Sequence, residues 1–78
     1  HGSYFLADKK ITIPNCKHKT ISLVPFPKAK EITTKGLQYP LNNENLAFGK
    51  RIGTRNKAIE NEVEISFTSG NLFIFIND

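Results

Sequence analysis

The feature that most constrains this chain is a two-residue alternation of apolar and polar side chains near its C-terminus. From Glu62 to Thr68, apolar residues occupy every second position, and glutamate or serine fills the positions between them. This period is that of a β-strand with one buried face. Leu72–Ile76 is apolar on both faces, and Gly70 in the intervening segment tolerates a positive φ. We therefore predict that Glu62–Thr68 and Leu72–Ile76 form an antiparallel hairpin.

Shorter alternating segments occur along the rest of the chain, and no segment has the period of a helix. Turn-forming residues separate them: Pro25–Pro27 is predicted to end one strand and Gly36 the next. Many short strands with frequent turns indicate an all-β sandwich or barrel of antiparallel strands. The segments are Tyr4–Leu6, Lys10–Ile13, Thr20–Val24 and Lys30–Thr34.

The chain has 78 residues, so it is one domain or less. His1–Ser3 reads as the remnant of an expression tag, and with no methionine present we expect an excised fragment whose domain is residues 4–78. A formal charge of +4, spread along the chain, fits an anionic partner and fits solubility equally well.

Neither a signal peptide nor a membrane-length apolar segment is visible. Cys16 is the only cysteine, which suits a reducing compartment and an inert structural thiol. We therefore expect a cytoplasmic protein without membrane contact.

No arrangement of residues indicates catalysis. His18 has no acid or nucleophile beside it in sequence, and with Cys16 it does not supply four metal ligands. Glu60, Glu62 and Glu64 are spaced to share one strand face, which is more typical of a solvated surface than of a cation site. No glycine-rich phosphate loop is present. We predict no catalytic residue, no metal site and no cofactor bound by this chain itself.

Five segments occur in an order that resembles one known family. Their order and spacing are similar to those of the vitamin B1-binding domain of thiamine pyrophosphokinases, over about residues 20–76. The segments are Ile21–Phe26, Ile32–Leu41, Leu46–Gly49, Gly53–Asn56 and Val63–Leu72.

The resemblance implies a C-terminal β-sandwich of jelly-roll type in an enzyme that transfers pyrophosphate from ATP to thiamine. It implies that ATP and Mg²⁺ are bound mainly by an N-terminal α/β domain, which is not part of this chain. It also implies a homodimer, with thiamine between the β domain of one subunit and the catalytic domain of the other. This chain would then supply one wall of the thiamine site and a dimer surface, and would be inactive alone.

The resemblance assigns thiamine contact to Tyr39, Gly53, Thr54 and Asn56. The Tyr39 ring could stack on the pyrimidine or on the thiazolium cation, or it could be a core or interface aromatic. Asn56 could donate to and accept from the ligand, or it could be a turn residue. Arg55 stands where relatives usually have serine, and a guanidinium beside a thiazolium is unfavourable unless it points away or meets phosphate. Its role is left uncertain, with an exposed arginine preferred.

Two other functions are compatible with a small basic β domain. One is an OB-like module for single-stranded nucleic acid, which needs exposed aromatics in a basic groove. Phe67, Phe73 and Phe75 lie in apolar strands, where packing is expected instead, so we predict no nucleic-acid partner. The other is a dimerisation platform built on Leu72–Ile76, which is compatible with thiamine binding. The remaining apolar residues singled out are predicted to form the core: Leu37, Leu41, Leu46 and Phe48.

Overall fold

The computed structural model describes residues 2–49 and 53–77, which form seven β-strands. Every pairing between these strands is antiparallel, so the predicted all-β, antiparallel class is confirmed. No helix capable of spanning a bilayer occurs in the described ranges. The strands are β1 Gly2–Leu6, β2 Lys10–Ile13, β3 Thr20–Lys35, β4 Glu44–Ala47, β5 Gly53–Lys57, β6 Val63–Ser66 and β7 Ser69–Asn77.

The centre of the sheet is β3, which has 16 residues and pairs with four other strands. Its first half lies between β5 and β7, and its second half pairs with β4 and β6. The remaining strands complete the sheet from outside, with β1 on β7 and β2 on β6. Gly2 and Ser3, which we set apart as a tag remnant, are paired residues of β1.

The predicted C-terminal hairpin is wrong, because β6 and β7 follow one another along β3 in a single register. Lys30 lies opposite Ser69 and Thr33 lies opposite Ser66. Gly70 therefore belongs to a strand rather than to a turn, although its φ is 90°. A side chain there would collide with the backbone of Lys28 and Ala29. The glycine is needed for a close approach of two strands.

The predicted strand end at Pro25–Pro27 is also wrong, because β3 continues through the prolines with a bulge. Between Pro25 and Ala29, β3 advances four residues, while β7 advances two, from Leu72 to Gly70. Prolines are tolerated at such irregularities because no ladder hydrogen bond is required of them. The Phe26–Pro27 peptide bond is cis.

The connections that follow β1 and β6 lie beside this bulge. Ala7 donates to the carbonyl of Leu72, and Thr68 donates to the carbonyl of Lys30. The irregularities of neighbouring strands therefore lie side by side across the sheet, and the sheet curls around its apolar side. The described strands are connected through β3 as one curled sheet, and this pairing does not by itself establish the jelly-roll connectivity.

The core is formed by apolar side chains that point inward from the strands and from the segments beside them. Leu37, Leu41 and Leu46 are buried as predicted, and Val63, Ile65 and Phe67 share the buried face of their segment. Phe48 is 64% exposed, so its assignment to the core is wrong. The strand β4 ends at Ala47, and the following turn carries Phe48 out of the alternation.

Candidate functional site

The segment Gly36–Asn43 leaves the end of β3 and runs beside β5. At its start, the carbonyl of Gly36 accepts from the N–H of Ile59 at 2.8 Å. Gln38 then donates its N–H to the carbonyl of Lys57, also at 2.8 Å. Through these bonds the segment pairs with the end of β5 and the residues that follow it. We call this segment the Tyr39 loop.

The far end of the Tyr39 loop is attached to β3. Leu41 exchanges two hydrogen bonds with Thr34, one of them through the buried threonine hydroxyl. Asn43 donates its N–H to Oγ1 of Thr33 at 3.1 Å. Both ends of the loop are therefore fixed to neighbouring strands.

The middle of the loop is held by the side chain of Asn56. Its Oδ1 accepts from the N–H of Tyr39 at 3.0 Å, and its Nδ2 donates to the carbonyl of Tyr39 at 2.6 Å. Oδ1 also accepts from the N–H of Lys57 at 3.0 Å. Asn56 is 6% exposed and lies opposite Ile21 in the sheet, so its amide points inward.

The ring of Tyr39 projects from this fixed backbone. The residue is 65% exposed, whereas Leu37 and Leu41 on either side are buried. The two leucines anchor the loop in the core. Tyr39 is therefore a surface aromatic on an ordered backbone, which excludes the alternative that it belongs to the core.

The strand β5 contains a second irregularity beside Tyr39. From Ile21 to Leu23, β3 advances two residues, while β5 covers three, from Asn56 to Gly53. Arg55 lies in this bulge with a φ of 56°, and its N–H donates to Oγ of Ser22 at 3.1 Å. The Arg55 side chain is exposed, as preferred from the sequence.

The structure places the predicted site residues in β5 and in the Tyr39 loop beside it. Gly53 pairs with Leu23, and Asn56 contacts the backbone of Tyr39. Thr54 lies in β5, but its side chain is outside the described part of the structure. Two shallow grooves on the described surface both have Lys35 and Glu64 in their linings, and none of the predicted site residues lines either groove.

The other titratable residues considered from the sequence do not assemble into a site. Among residues 2–49 and 53–77, no three histidine, cysteine, aspartate or glutamate side chains are grouped to hold a metal. Of Glu60, Glu62 and Glu64, only the last lies in a strand, so the expected shared strand face is wrong. All three are exposed, as is His18.

Cys16 is a buried thiol within the turn between β2 and β3. Its Sγ lies 3.3 Å from the carbonyl oxygen of Ile13 and 3.5 Å from that of Asn61, so the one S–H has two acceptors within reach. Burial raises the pKa of this thiol above its usual value and outweighs the lowering effect of hydrogen bonds from the backbone of Val63 and of Cys16 itself. A buried thiol with a raised pKa is a poor nucleophile.

A second surface lies on the outer side of β1, β7 and the first half of β3. Tyr4 stacks on Phe75 with ring centroids 5.7 Å apart, and Phe26 meets the ring of Phe73 edge-on at 5.6 Å. Phe73 is half-buried and Phe75 is 37% exposed, so of the three aromatics expected to be packed, only Phe67 is fully inside. We call this surface the outer aromatic face; its residues are Tyr4, Leu6, Phe26, Phe73 and Phe75.

Sequence reasoning did not assign a role to Thr34 or Ser22, each of which holds a backbone N–H near the site. A signal for Thr34 was present, since alternation from Ile32 places it on the buried face. Ser22 carries no comparable signal, because its role depends on a bulge in a strand distant in sequence.

Comparison with known families identifies one match. Residues 8–72 match the family described as "Thiamin pyrophosphokinase, vitamin B1 binding domain". A search of curated protein sequences gives no significant match.

Solved structures provide a second comparison. A thiamine pyrophosphokinase from Bacillus subtilis is similar over 99% of this chain, with a TM-score of 0.81 and 28% sequence identity. A thiamin pyrophosphokinase from Geobacillus thermodenitrificans is similar over 99% of the chain, with a TM-score of 0.86 and 21% identity, and this likeness concerns the fold alone. This chain covers 37% of the length of each of those proteins.

Proposed function

The chain belongs to the vitamin B1-binding domain family of the thiamin pyrophosphokinases, and from that premise we propose that it binds thiamine. The full enzyme would transfer pyrophosphate from ATP to the hydroxyl of thiamine, and this chain would be its C-terminal, jelly-roll domain. The chain would supply one wall of the thiamine site. An OB-like nucleic-acid module is not favoured by the family match.

The observation that carries the proposal is the exposed Tyr39 ring on a loop fixed by hydrogen bonds. Thiamine has a flat pyrimidine and a cationic thiazolium, and an aromatic face suits both. Stacking contributes about 0.5–1.5 kcal/mol beyond area burial, and a cation over a ring contributes about 0.5–2 kcal/mol. Because the loop backbone is already ordered, little conformational entropy is lost when the ring meets its ligand.

The strand β5 would continue this wall from Tyr39 toward Gly53. Gly53 and Thr54 would approach the ligand there, the first through its backbone and the second through its hydroxyl. Arg55 is exposed, and we propose that its guanidinium points away from the thiazolium cation. Repulsion between two cations is weak where water surrounds one of them.

We propose that the phosphate chemistry lies in another part of the enzyme. Mg²⁺ binding needs carboxylates grouped with phosphate oxygens, and the described glutamates do not form such a group. The described residues of this chain therefore do not fit a Mg²⁺ site. ATP and Mg²⁺ would be bound mainly by the α/β domain. An assay of this chain alone with ATP and thiamine should yield no thiamine diphosphate.

The outer aromatic face is the proposed dimer surface. Tyr4, Phe26 and Phe75 expose aromatic area on one side of the sheet, and contiguous apolar surface of this kind marks interaction sites. A second copy of the chain could cover it and enlarge the small core. The buried, free thiol of Cys16 fits a reducing compartment, and a cytoplasmic location is proposed with it.

The proposed function is tested by substituting Tyr39 in a full-length family enzyme that carries this chain. Tyr39→Ala should raise the thiamine KM about tenfold, the equivalent of about 1.4 kcal/mol, and leave the ATP KM unchanged. Tyr39→Phe keeps the ring and serves as the control, with a thiamine KM close to that of the parent. An unchanged thiamine KM in Tyr39→Ala would return Tyr39 to the role of a surface residue.

A further inference from the structure

The amide of Asn56 has little hydrogen-bonding capacity left for a ligand. A carboxamide oxygen has two lone pairs, and the amide nitrogen has two N–H donors. Oδ1 already accepts from the N–H groups of Tyr39 and Lys57, and Nδ2 donates to the carbonyl of Tyr39. One N–H remains, and no acceptor lone pair does.

The position of Asn56 restricts ligand contact further. Its side chain is on the buried face of β5, opposite Ile21, and the residue is 6% exposed. Among the described residues, Tyr39 makes its backbone hydrogen bonds to this amide. The geometry is that of a backbone clamp, in which one planar amide holds both the N–H and the C=O of a single residue.

The clamp acts between two points of the loop that other hydrogen bonds fix. Gln38 is held by Lys57 on one side, and Leu41 is held by Thr34 on the other. Between them, Asn56 sets the orientation of the Tyr39 peptide units, and these determine where the Tyr39 side chain leaves the backbone. A fixed peptide plane directs the ring even though the residue is largely exposed.

We propose that Asn56 is a positioning residue for thiamine, acting through Tyr39 rather than by contact with the ligand. This inference rests on the proposed function, since it requires that the Tyr39 ring meets thiamine. Preorganised side chains need such supporting contacts, because small displacements of a binding group are costly.

The test is a double-mutant cycle in the full-length enzyme that contains this chain. Asn56→Asp keeps the shape of the side chain but replaces the Nδ2 donor by a carboxylate oxygen facing the carbonyl of Tyr39. We expect the thiamine KM to rise about tenfold, an effect of about 1.4 kcal/mol, with the ATP KM within about twofold. In the Tyr39→Ala background, the same substitution should change the thiamine KM by less than about twofold.

A stability measurement separates positioning from a merely structural role. Tyr39→Ala retains the backbone groups that Asn56 binds, so Asn56→Asp should lower the melting temperature equally in both backgrounds. Coupling in the thiamine KM without coupling in the melting temperature supports positioning. Asn15→Asp introduces the same charge at an exposed turn and should leave both quantities near the parent values.

The outcomes distinguish this inference from the proposed function. If Tyr39→Ala raises the thiamine KM and the Asn56→Asp effect multiplies with it, Asn56 contacts thiamine directly and positioning is overturned. If Tyr39→Ala alone has no effect, the proposed role of Tyr39 fails, and the positioning role fails with it. Should Asn56→Asp not fold, Asn56→Gln displaces the same amide by one methylene, and its cycle is interpreted in the same way.

Discussion

Thr34 and Leu41 exchange two hydrogen bonds at the base of the Tyr39 loop. The hydroxyl of Thr34 accepts from the N–H of Leu41 at 2.9 Å, and the N–H of Thr34 donates to the carbonyl of Leu41 at 2.9 Å. Both residues are buried. The hydroxyl therefore replaces the strand partner that Leu41 lacks once the loop has left the sheet.

The first prediction concerns this hydroxyl. Thr34→Val keeps the shape of the side chain but leaves the Leu41 N–H without its acceptor in the core. An unpaired buried donor costs about 1–3 kcal/mol, so the free energy of unfolding in urea should fall by that amount.

The control is Thr12→Val on β2, where the residue is exposed and the expected change is within about 0.5 kcal/mol. Equal effects at the two positions would show that the hydroxyl of Thr34 has no special role.

A second prediction compares two glycines with similar backbone angles. Gly70 has a φ of 90° and Gly49 a φ of 80°. An added Cβ at Gly49 meets nothing within 4 Å, whereas at Gly70 it meets the backbone of β3. Gly49→Ala should cost about 1–2 kcal/mol of backbone strain, and Gly70→Ala a further about 1–3 kcal/mol for displacing a packed strand.

Urea denaturation of the two variants measures this difference. Equal destabilisation would mean that the approach of β7 to Lys28 and Ala29 is looser than the structure indicates.

The third prediction is a pH dependence from Cys16. Because burial raises the thiol pKa in the folded state, the unfolded chain loses this proton first as the pH rises. The contribution of Cys16 to stability is therefore full below the ordinary thiol pKa of about 8.5 and declines above it. The parent should lose unfolding free energy relative to Cys16→Ser, which has no titrating thiol, as the pH rises above about 8.5.

Parallel stability curves for the parent and Cys16→Ser across that range would contradict this account. The comparison removes the contributions of all other titrating groups, since the two proteins share them.

The fourth prediction concerns the outer aromatic face. If a second copy of the chain covers this face, Phe75→Ser should shift the chain from dimer to monomer in analytical ultracentrifugation. Ile59→Ser removes a similarly exposed apolar side chain outside the outer aromatic face and should leave the dimer intact. A parent chain that sediments as a monomer at high concentration would exclude this face as a self-association surface.

The positions that could be predicted from sequence are those set by local alternation. Ile21, Leu23, Val63 and Ile65 are buried, because side chains of a strand point alternately to its two faces. The five ordered segments likewise indicated the family, and residues 8–72 match it. The predicted ligand contact of Tyr39 stays a prediction, but its exposure could not be read from a Tyr-Pro pair alone.

Strand pairing was beyond the reach of these local patterns. A serine, glycine and asparagine between two apolar segments is the usual signature of a hairpin, yet here Gly70 serves a close approach to Lys28 and Ala29. The alternation of a strand is the same whichever partner it has. The partner is chosen by contacts with residues about 40 positions away in sequence.

The sequence by itself determined an antiparallel β domain, its inward residues and its family, because each follows from local spacing and order. Only the tertiary structure decided that β6 and β7 share one long neighbour, that Phe48 lies outside, and that the Asn56 amide holds Tyr39. The physical reason is that hydrogen bonds between distant residues depend on how strands bend and pair. The bulges at Pro25–Ala29 and Ile21–Leu23 set those bends, and neither changes the local alternation enough to be recognised beforehand.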